Sequence, residues 1–395
     1  MVRNVLLYKW NANNEPELES TLKEIGLNVI SVKIECTHYT RDLNLAGKLV
    51  AIIQEKKVDA VVSFDYFPII SAVCHGCHVP YYSYVYDCPH NTLFAGQVTL
   101  PENHIYIFDR ELEQILRSYG IQTVSHLPLA VSTDAFQKTI RKADEKQKRK
   151  FSAEVSFVGS LYENNSYYDK LKELVLAEEA KRMEDAIDRQ LFSYKQNTLL
   201  EDMVDHKLDL SFYSQKAQEI GVKLDADYFI EDIDLVIPTI FEKEVSRRER
   251  KQFLNRVAEK HDLNIYTASP KEEVPHAVYR GIADYHNEMP VIFANSKINL
   301  NLTLRSIRSG IPLRVLDILA CGGFCLTNWQ PEIEEYFSPG RELETFGSLE
   351  EGMEKIEFYL THNDMRMKIA ERGLEKVKDK FGFDRFTGMV MEGIE

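Results

Sequence analysis

The chain has 395 residues, more than one hydrophobic core usually serves, so two domains are expected. Its 44% hydrophobic content is that of an ordinary globular protein, and the balance of 48 basic against 62 acidic residues gives a net charge of -14. Such a surface repels a polyphosphate backbone and argues against nucleic acid as a partner, while leaving room for a local basic pocket that holds one diphosphate.

The opening stretch MVRNVLLYKWNANNEPE turns polar too soon for a signal peptide, and no later stretch approaches a membrane span. Cys36, Cys74, Cys77, Cys88, Cys321 and Cys325 are sparse and unpatterned, so they read as reduced thiols of a cytoplasmic protein. The sequons at Asn164 and Asn301 are discounted for the same reason.

Strands are expected over 5–8, 29–32, 58–64, 80–86 and 105–108, with helices over 15–25 and 43–54 and another over 109–119 capped by Asp109. This alternation implies βαβ units and a mostly parallel sheet covered on both faces. The charge-rich stretch 140–150 reads as a linker, and a strand over 155–160 restarts the pattern, placing a domain boundary near 150. Residues 169–260 read as a helical insertion or cap, acidic and without a glycine-rich loop. Strands follow over 264–267, 291–294, 298–302 and 324–327, and helices over 312–321, 348–360, 363–379 and 383–395. The fold class is therefore α/β, two Rossmann-like doubly wound domains (1–150 and 151–380) facing a cleft. A terminal helix over 381–395 is placed to pack back on the first domain.

The stretch 297–323 carries the most chemistry. Gly310 permits a sharp approach to the next helix, and Pro312 suits its first position, which needs no amide partner. Free amides at that helix start form a natural diphosphate site, with Arg305, Arg308 and Arg314 clustered around it. Asp317, one turn in, could accept both hydroxyls of a ribose. The loop 327–332, with Asn328 and Glu332, lies at a strand's carboxyl end, where a doubly wound domain binds its ligand. Each of these residues taken singly is equally compatible with surface pairing or capping. Their joint placement carries the reading.

Asp87 and His90 follow the fourth strand of the first domain, at the mouth of the cleft, where either could act as a general base; in a transfer that inverts configuration it would deprotonate the incoming hydroxyl. Asp87 is also compatible with a turn cap. His38, Tyr39, Tyr66, Tyr86, Trp10 and Asn11 are further candidates on that side. Cys74, His75, Cys77 and His78, with Cys88 and His90, have the residue types of a zinc site, but they read better as buried cysteines and cleft-facing histidines, so no metal is expected.

The stretch SKINLNLTLRSIRSGIPLRVLDILACGGFCLTNWQPEIEEYFSPGRE, residues 296–342, resembles the CgeB-like (spore maturation protein) family of GT-B-fold glycosyltransferases. Weaker likeness covers FVGSLYENNSYYD at 157–169 and HLPLAVSTDAF at 126–136. The resemblance implies sugar transfer from a nucleotide-sugar, UDP-sugar favoured, with no metal or other cofactor required. It places Asp317 at the ribose, Glu332 near the donor sugar, and Ser309 where a donor-site glutamate is expected. The Arg/Lys pair usual after the first strand of the second domain is missing around 159–165, which leaves the diphosphate to Arg305, Arg308 or Arg314. An epimerase or phosphorylase on the same scaffold and a non-catalytic glycan-binding or spore/surface assembly protein are the alternatives.

Overall fold

The structure is a computed structural model that describes residues 3–163, 166–222, 227–230 and 232–394. Its frame is two six-stranded parallel sheets. The first contains β1 (Asn4–Tyr8), β2 (Asn28–Val32), β3 (Ala60–Phe64), β4 (Tyr81–Val85), β5 (Asn103–Ile107) and β6 (Val124–His126), in the order β2-β1-β3-β4-β5-β6. The second contains β7 (Ala153–Val158), β8 (Leu263–Tyr266), β9 (Val278–Tyr279), β10 (Ser296–Asn301), β11 (Cys325–Asn328) and β12 (Glu344–Phe346), in the order β12-β11-β10-β7-β8-β9. Every residue of β3 and β4 is buried, as expected of parallel strands covered by helices on both faces. The strand order reverses between β1 and β3 in one sheet and between β7 and β10 in the other. The connections leave those points in opposite directions and open a crevice at the carboxyl ends.

Three expectations fail, two of them for identifiable reasons. The stretch 140–150 is not a linker. It holds the end of the helix Thr133–Lys142 and most of the helix Glu145–Phe151, which starts with a capping box between Asp144 and Gln147. Its charged residues face water while Ala143 and Phe151 are buried, so a high charge density concealed a one-sided pattern. The run 291–294 is helical, within Met289–Asn295, because Pro290 opens a helix and a short apolar run has no period to distinguish it from a strand. Strands β6, β9 and β12 have two or three residues each, too few to show alternation. Pro312 is the residue before the helix Leu313–Ala320, not its first.

The helical region builds a small core of its own around Tyr168, Met183, Tyr213 and Phe241. It is attached to the second sheet by the long helix Asp232–Ala258, whose Phe253, Leu254 and Val257 join the core beneath that sheet. The last helix, Asp384–Ile394, lies against the first domain, with Phe386 stacked on Tyr84 at 4.7 Å and edge-on to Tyr106. One apolar cluster runs from Val5 and Leu7 through Phe108 to Phe293 and Ile318, so the two domains share packed interior. Among the described residues no helix is long and apolar enough to cross a membrane.

Candidate active site

On the first domain, the ends of β1, β3 and β4 surround a cavity of about 500 Å³. Asp65 follows β3 with a left-handed φ of 55° and is 2% exposed. Its Oδ1 accepts the amides of Tyr86 (2.9 Å) and Asp87 (3.1 Å), which draws the β4 loop towards β3. The donor atoms of Asp65, Asp87 and His90 lie within 4.8 Å of one another. Burial, with Asp65 beside it, pushes the Asp87 carboxyl up, and His90 opposes this. A carboxylate held in that state suits a general base. The sequence reading brought Asp87, His90, Trp10, Asn11 and Tyr39 to this cavity but missed Asp65, whose only signal was its place at a strand end. His75 does not face the cleft. It pairs with Glu102 at 2.6 Å, while Cys74 is buried in the helix Pro68–Cys77. No metal-type grouping among the described residues includes either one.

On the second domain the reversal point lies between β7 and β10, and a side chain that the sequence did not single out occupies it. Arg250, on the helix Asp232–Ala258, donates to the carbonyl of Ser160 after β7 (2.6 Å) and to that of Leu302 after β10. Its guanidinium lies over the Tyr162 and Phe157 rings, the residue is 8% exposed, and no carboxylate among the described residues is hydrogen-bonded to it. Its Nε is buried without any hydrogen bond. Burial lowers its pKa and nearby Arg314 adds to the fall, while Tyr162 and, more weakly, the Glu249 carboxylate oppose it. Nothing in a uniform helical stretch marks Arg250. The fold alone brings it beside Ser160.

Arg314 and Asp317 come together as expected of one helix face, at 3.1 Å. Asp317 also accepts the Tyr285 hydroxyl at 2.9 Å, and Tyr285 reaches Asn14 of the first domain at 3.0 Å. Burial raises Asp317 to about 6, against the pull of Arg314 and Tyr285. The loop that carries Trp10 therefore joins the first-domain cavity to the Arg314–Asp317 pair.

The remaining expected site residues lie elsewhere. Arg305 is locked against both oxygens of Glu249 and under the Tyr194 ring, so its charge is already met. Asn328 is spent joining two loops, accepting the Thr303 amide at 2.7 Å. Arg308, which has no side-chain hydrogen-bond partner among the described residues, lines a second cavity of about 150 Å³ with these two, Glu242 and Trp329. The Gly310 amide, expected to meet a diphosphate, meets a carboxylate of the first domain. Asp109 Oδ2 accepts the amides of Arg308, Ser309 and Gly310 at 2.7, 3.0 and 3.3 Å. Glu332 belongs to the same interface. It takes the Arg110 amide (2.9 Å) and the Ser309 hydroxyl (2.7 Å) on one oxygen and His126 (2.7 Å) on the other, and it is 1% exposed. Burial opposes its ionisation, but the hydrogen bonds from His126 and Ser309 prevail and hold its carboxyl below the usual range.

Gly310 is required by space. A Cβ there would stand 2.6 Å from the Phe108 ring and 2.7 Å from the Phe108 carbonyl, which is backbone and cannot swing away. Gly310→Ala is expected to lower stability by about 1–3 kcal/mol, read as a lower thermal midpoint. An unchanged midpoint would show that the interface is not closed in solution.

The comparisons with known proteins bear on the fold. A glycosyltransferase from Rickettsia africae superposes with a TM-score of 0.60 at 10% identity, covering 100% of this chain and 98% of that one. Anabaena HepE in complex with UDP-glucose gives 0.55 at 9%, covering 99% of each chain. The fold is GT-B. A UDP-forming trehalose-phosphate synthase from Burkholderia xenovorans, at 0.54 and 12% identity over 100% of this chain and 99% of that one, shares the GT-B architecture. The family described as glycosyl transferase-like matches residues 247–387, a stretch that begins just before Arg250 and includes Arg314 and Asp317. An uncharacterised protein of Aquifex aeolicus is 29% identical over 92 residues, which span 22% of this chain and only 23% of that relative.

Proposed function

We propose that this protein is a cytoplasmic, CgeB-like glycosyltransferase. It would move a sugar from a nucleoside-diphosphate donor, a UDP-sugar by preference, to an acceptor hydroxyl held on the first domain. The observation that carries the reading is Arg250, a buried guanidinium at the β7/β10 reversal point with no carboxylate hydrogen-bonded to it among the described residues. Two carbonyls, the Tyr162 ring and the field of Glu249 meet this charge in part, and a donor diphosphate is the natural counter-charge that would complete it. Arg314, close by, and the Leu313 and Arg314 amides, which have no intrahelical acceptor, extend the same cradle. The bound UDP-glucose of HepE and the UDP-forming synthase, both of this fold, support the choice of donor.

The acceptor oxygen attacks the anomeric carbon, its proton passing to Asp87 or His90, while the bond from that carbon to the diphosphate oxygen breaks. The bonding pair leaves with the nucleoside diphosphate, and the two arginines meet its growing charge, so this reading requires no metal. Asp317 is the ribose contact in this scheme, which requires Tyr285 to turn away from it.

Calorimetry with UDP, GDP, CDP and ADP tests the donor site. UDP is expected to bind, and Arg250→Met to weaken it by about 10- to 100-fold, with unliganded melting controlling for misfolding. Equal affinity in wild type and Arg250→Met would remove the central observation. The second reading, a non-catalytic glycan-binding or surface-assembly protein, is favoured by Ser309, whose hydroxyl is committed to Asp109 and Glu332. UDP binding without turnover of any UDP-sugar in the presence of acceptors would favour it.

A further inference from the structure

We propose that the first-domain cavity takes a neutral saccharide, with one pyranose face stacked on Trp10 and a hydroxyl directed at Asp87. The inference rests on reading that cavity as the acceptor side of the cleft. Its basis is an exposed aromatic ring held rigidly at both ends. The Trp10 indole N–H donates to the Phe64 carbonyl at 3.0 Å, which fixes the ring. The backbone is fixed as well, because the amides of Trp10, Asn11 and Ala12 all donate to Glu15 Oε1 at 2.7, 3.0 and 3.0 Å. Glu15 is itself buried. Despite this clamping Trp10 is 37% exposed, and Tyr39, 51% exposed, flanks the same buried Phe67. Two large rings are thus presented to the cavity at little further cost in ordering, the arrangement that favours a stacked ligand.

The polar lining narrows the ligand class. Asp65 and Asp87 are hydrogen-bond acceptors suited to hydroxyl donors, and Asn11 adds a planar amide. An anionic acceptor would meet two carboxylates. The nearby lysines do not reverse this, since Lys9 is paired with Glu19, and Lys33, which keeps its charge while donating to the neutral Asn11 amide at 2.6 Å, is one cation against a lining that also holds Glu35. A neutral ring with an apolar C–H face and several hydroxyls satisfies both halves of the lining, and a cavity of about 500 Å³ holds a mono- or disaccharide.

The protein has two tryptophans, so Trp329→Phe leaves Trp10 as the sole indole reporter. In that variant, with UDP present, a panel of neutral hexoses and disaccharides is titrated while Trp10 emission is followed. At least one member is expected to give a saturable change. By calorimetry in the wild-type background its affinity should fall at least tenfold in Trp10→Leu and about as much in Asp87→Asn, with Trp10→Phe staying within about threefold of wild type. A panel that leaves Trp10 emission unchanged while UDP still binds overturns the saccharide inference and leaves the donor reading intact. Saccharide binding without UDP binding does the reverse. Saturation by tetramethylammonium or an aryl alcohol in place of every sugar also overturns the inference, since the rings would then serve a different ligand.

Discussion

Asp109→Ala is expected to destabilise the protein by about 3–5 kcal/mol and to loosen the two domains from each other. Asp109 is 1% exposed and does three things with two oxygens. It caps the helix Arg110–Ser118 through the Leu112 amide at 2.9 Å, accepts three successive amides of the second domain, and lies 3.1 Å from the Ser309 hydroxyl. A lost cap alone costs about 1 kcal/mol. The larger part comes from leaving the amides of Ser309 and Gly310 buried without an acceptor. Asp109→Asn keeps one acceptor oxygen, so a cost of about half is expected. Denaturant unfolding at neutral pH, with small-angle scattering to follow the domain arrangement, measures both effects. A cost near 1 kcal/mol for Asp109→Ala would mean that only the cap matters and that the domains are not joined there.

Glu242→Gln is expected to stabilise the protein by about 3 kcal/mol at pH 8 and to have little effect near pH 4.5. Glu242 is 5% exposed, lines the cavity below Arg308, and has no side-chain hydrogen-bond partner among the described residues. Burial raises its pKa from 4.5 to about 7, with Asp109 adding to the rise and Arg308 and Arg305 opposing it. A folded-state pKa above the unfolded value means that the proton binds more tightly in the fold. The contribution is therefore fully present below about pH 4.5 and is lost as pH rises through about 7. Glutamine carries no proton to lose, so the difference between the two proteins should open over that interval and level off above it. Denaturant curves taken from pH 4.5 to 8 check this, and parallel stabilities throughout would show that Glu242 stays solvated. Asp317, raised to about 6, titrates within the same interval, so the effect must be read as a difference between the two proteins.

The parts of the fold that were legible in the sequence share a property. Strands β1 to β5 and the long amphipathic helices have enough residues for a pattern to show: β3 and β4 are buried along their whole length, while β2 and β5 keep apolar residues beside exposed polar ones. The α/β class and the paired doubly wound domains followed from that rhythm. Strands β6, β9 and β12 were too short for it, and the run 291–294 was apolar without alternation, so helix and strand could not be told apart. Local chemistry also carried Asp109 as a cap, because capping is decided within a few residues, whereas the Arg314–Asp317 pair, though set by i,i+3 spacing, was not anticipated.

What the sequence by itself determined is the two-domain α/β fold with its cleft, and it offered candidates on either side, strand-end residues such as Asp87, His90 and Trp10 on one and the helix of Arg314 and Asp317 on the other. Which groups remain available there was decided only by tertiary structure. Glu332 and the Gly310 amide look like ligand contacts in one dimension, yet in the fold their partners are Arg110, His126 and Asp109, residues about 200 positions away. Arg250, in an unmarked helix, is carried by that helix's packing to the strand ends beside Ser160. The physical reason is the same in both cases. A buried polar group is satisfied by whatever the packed fold brings to it, and sequence spacing reports only neighbours on the same element.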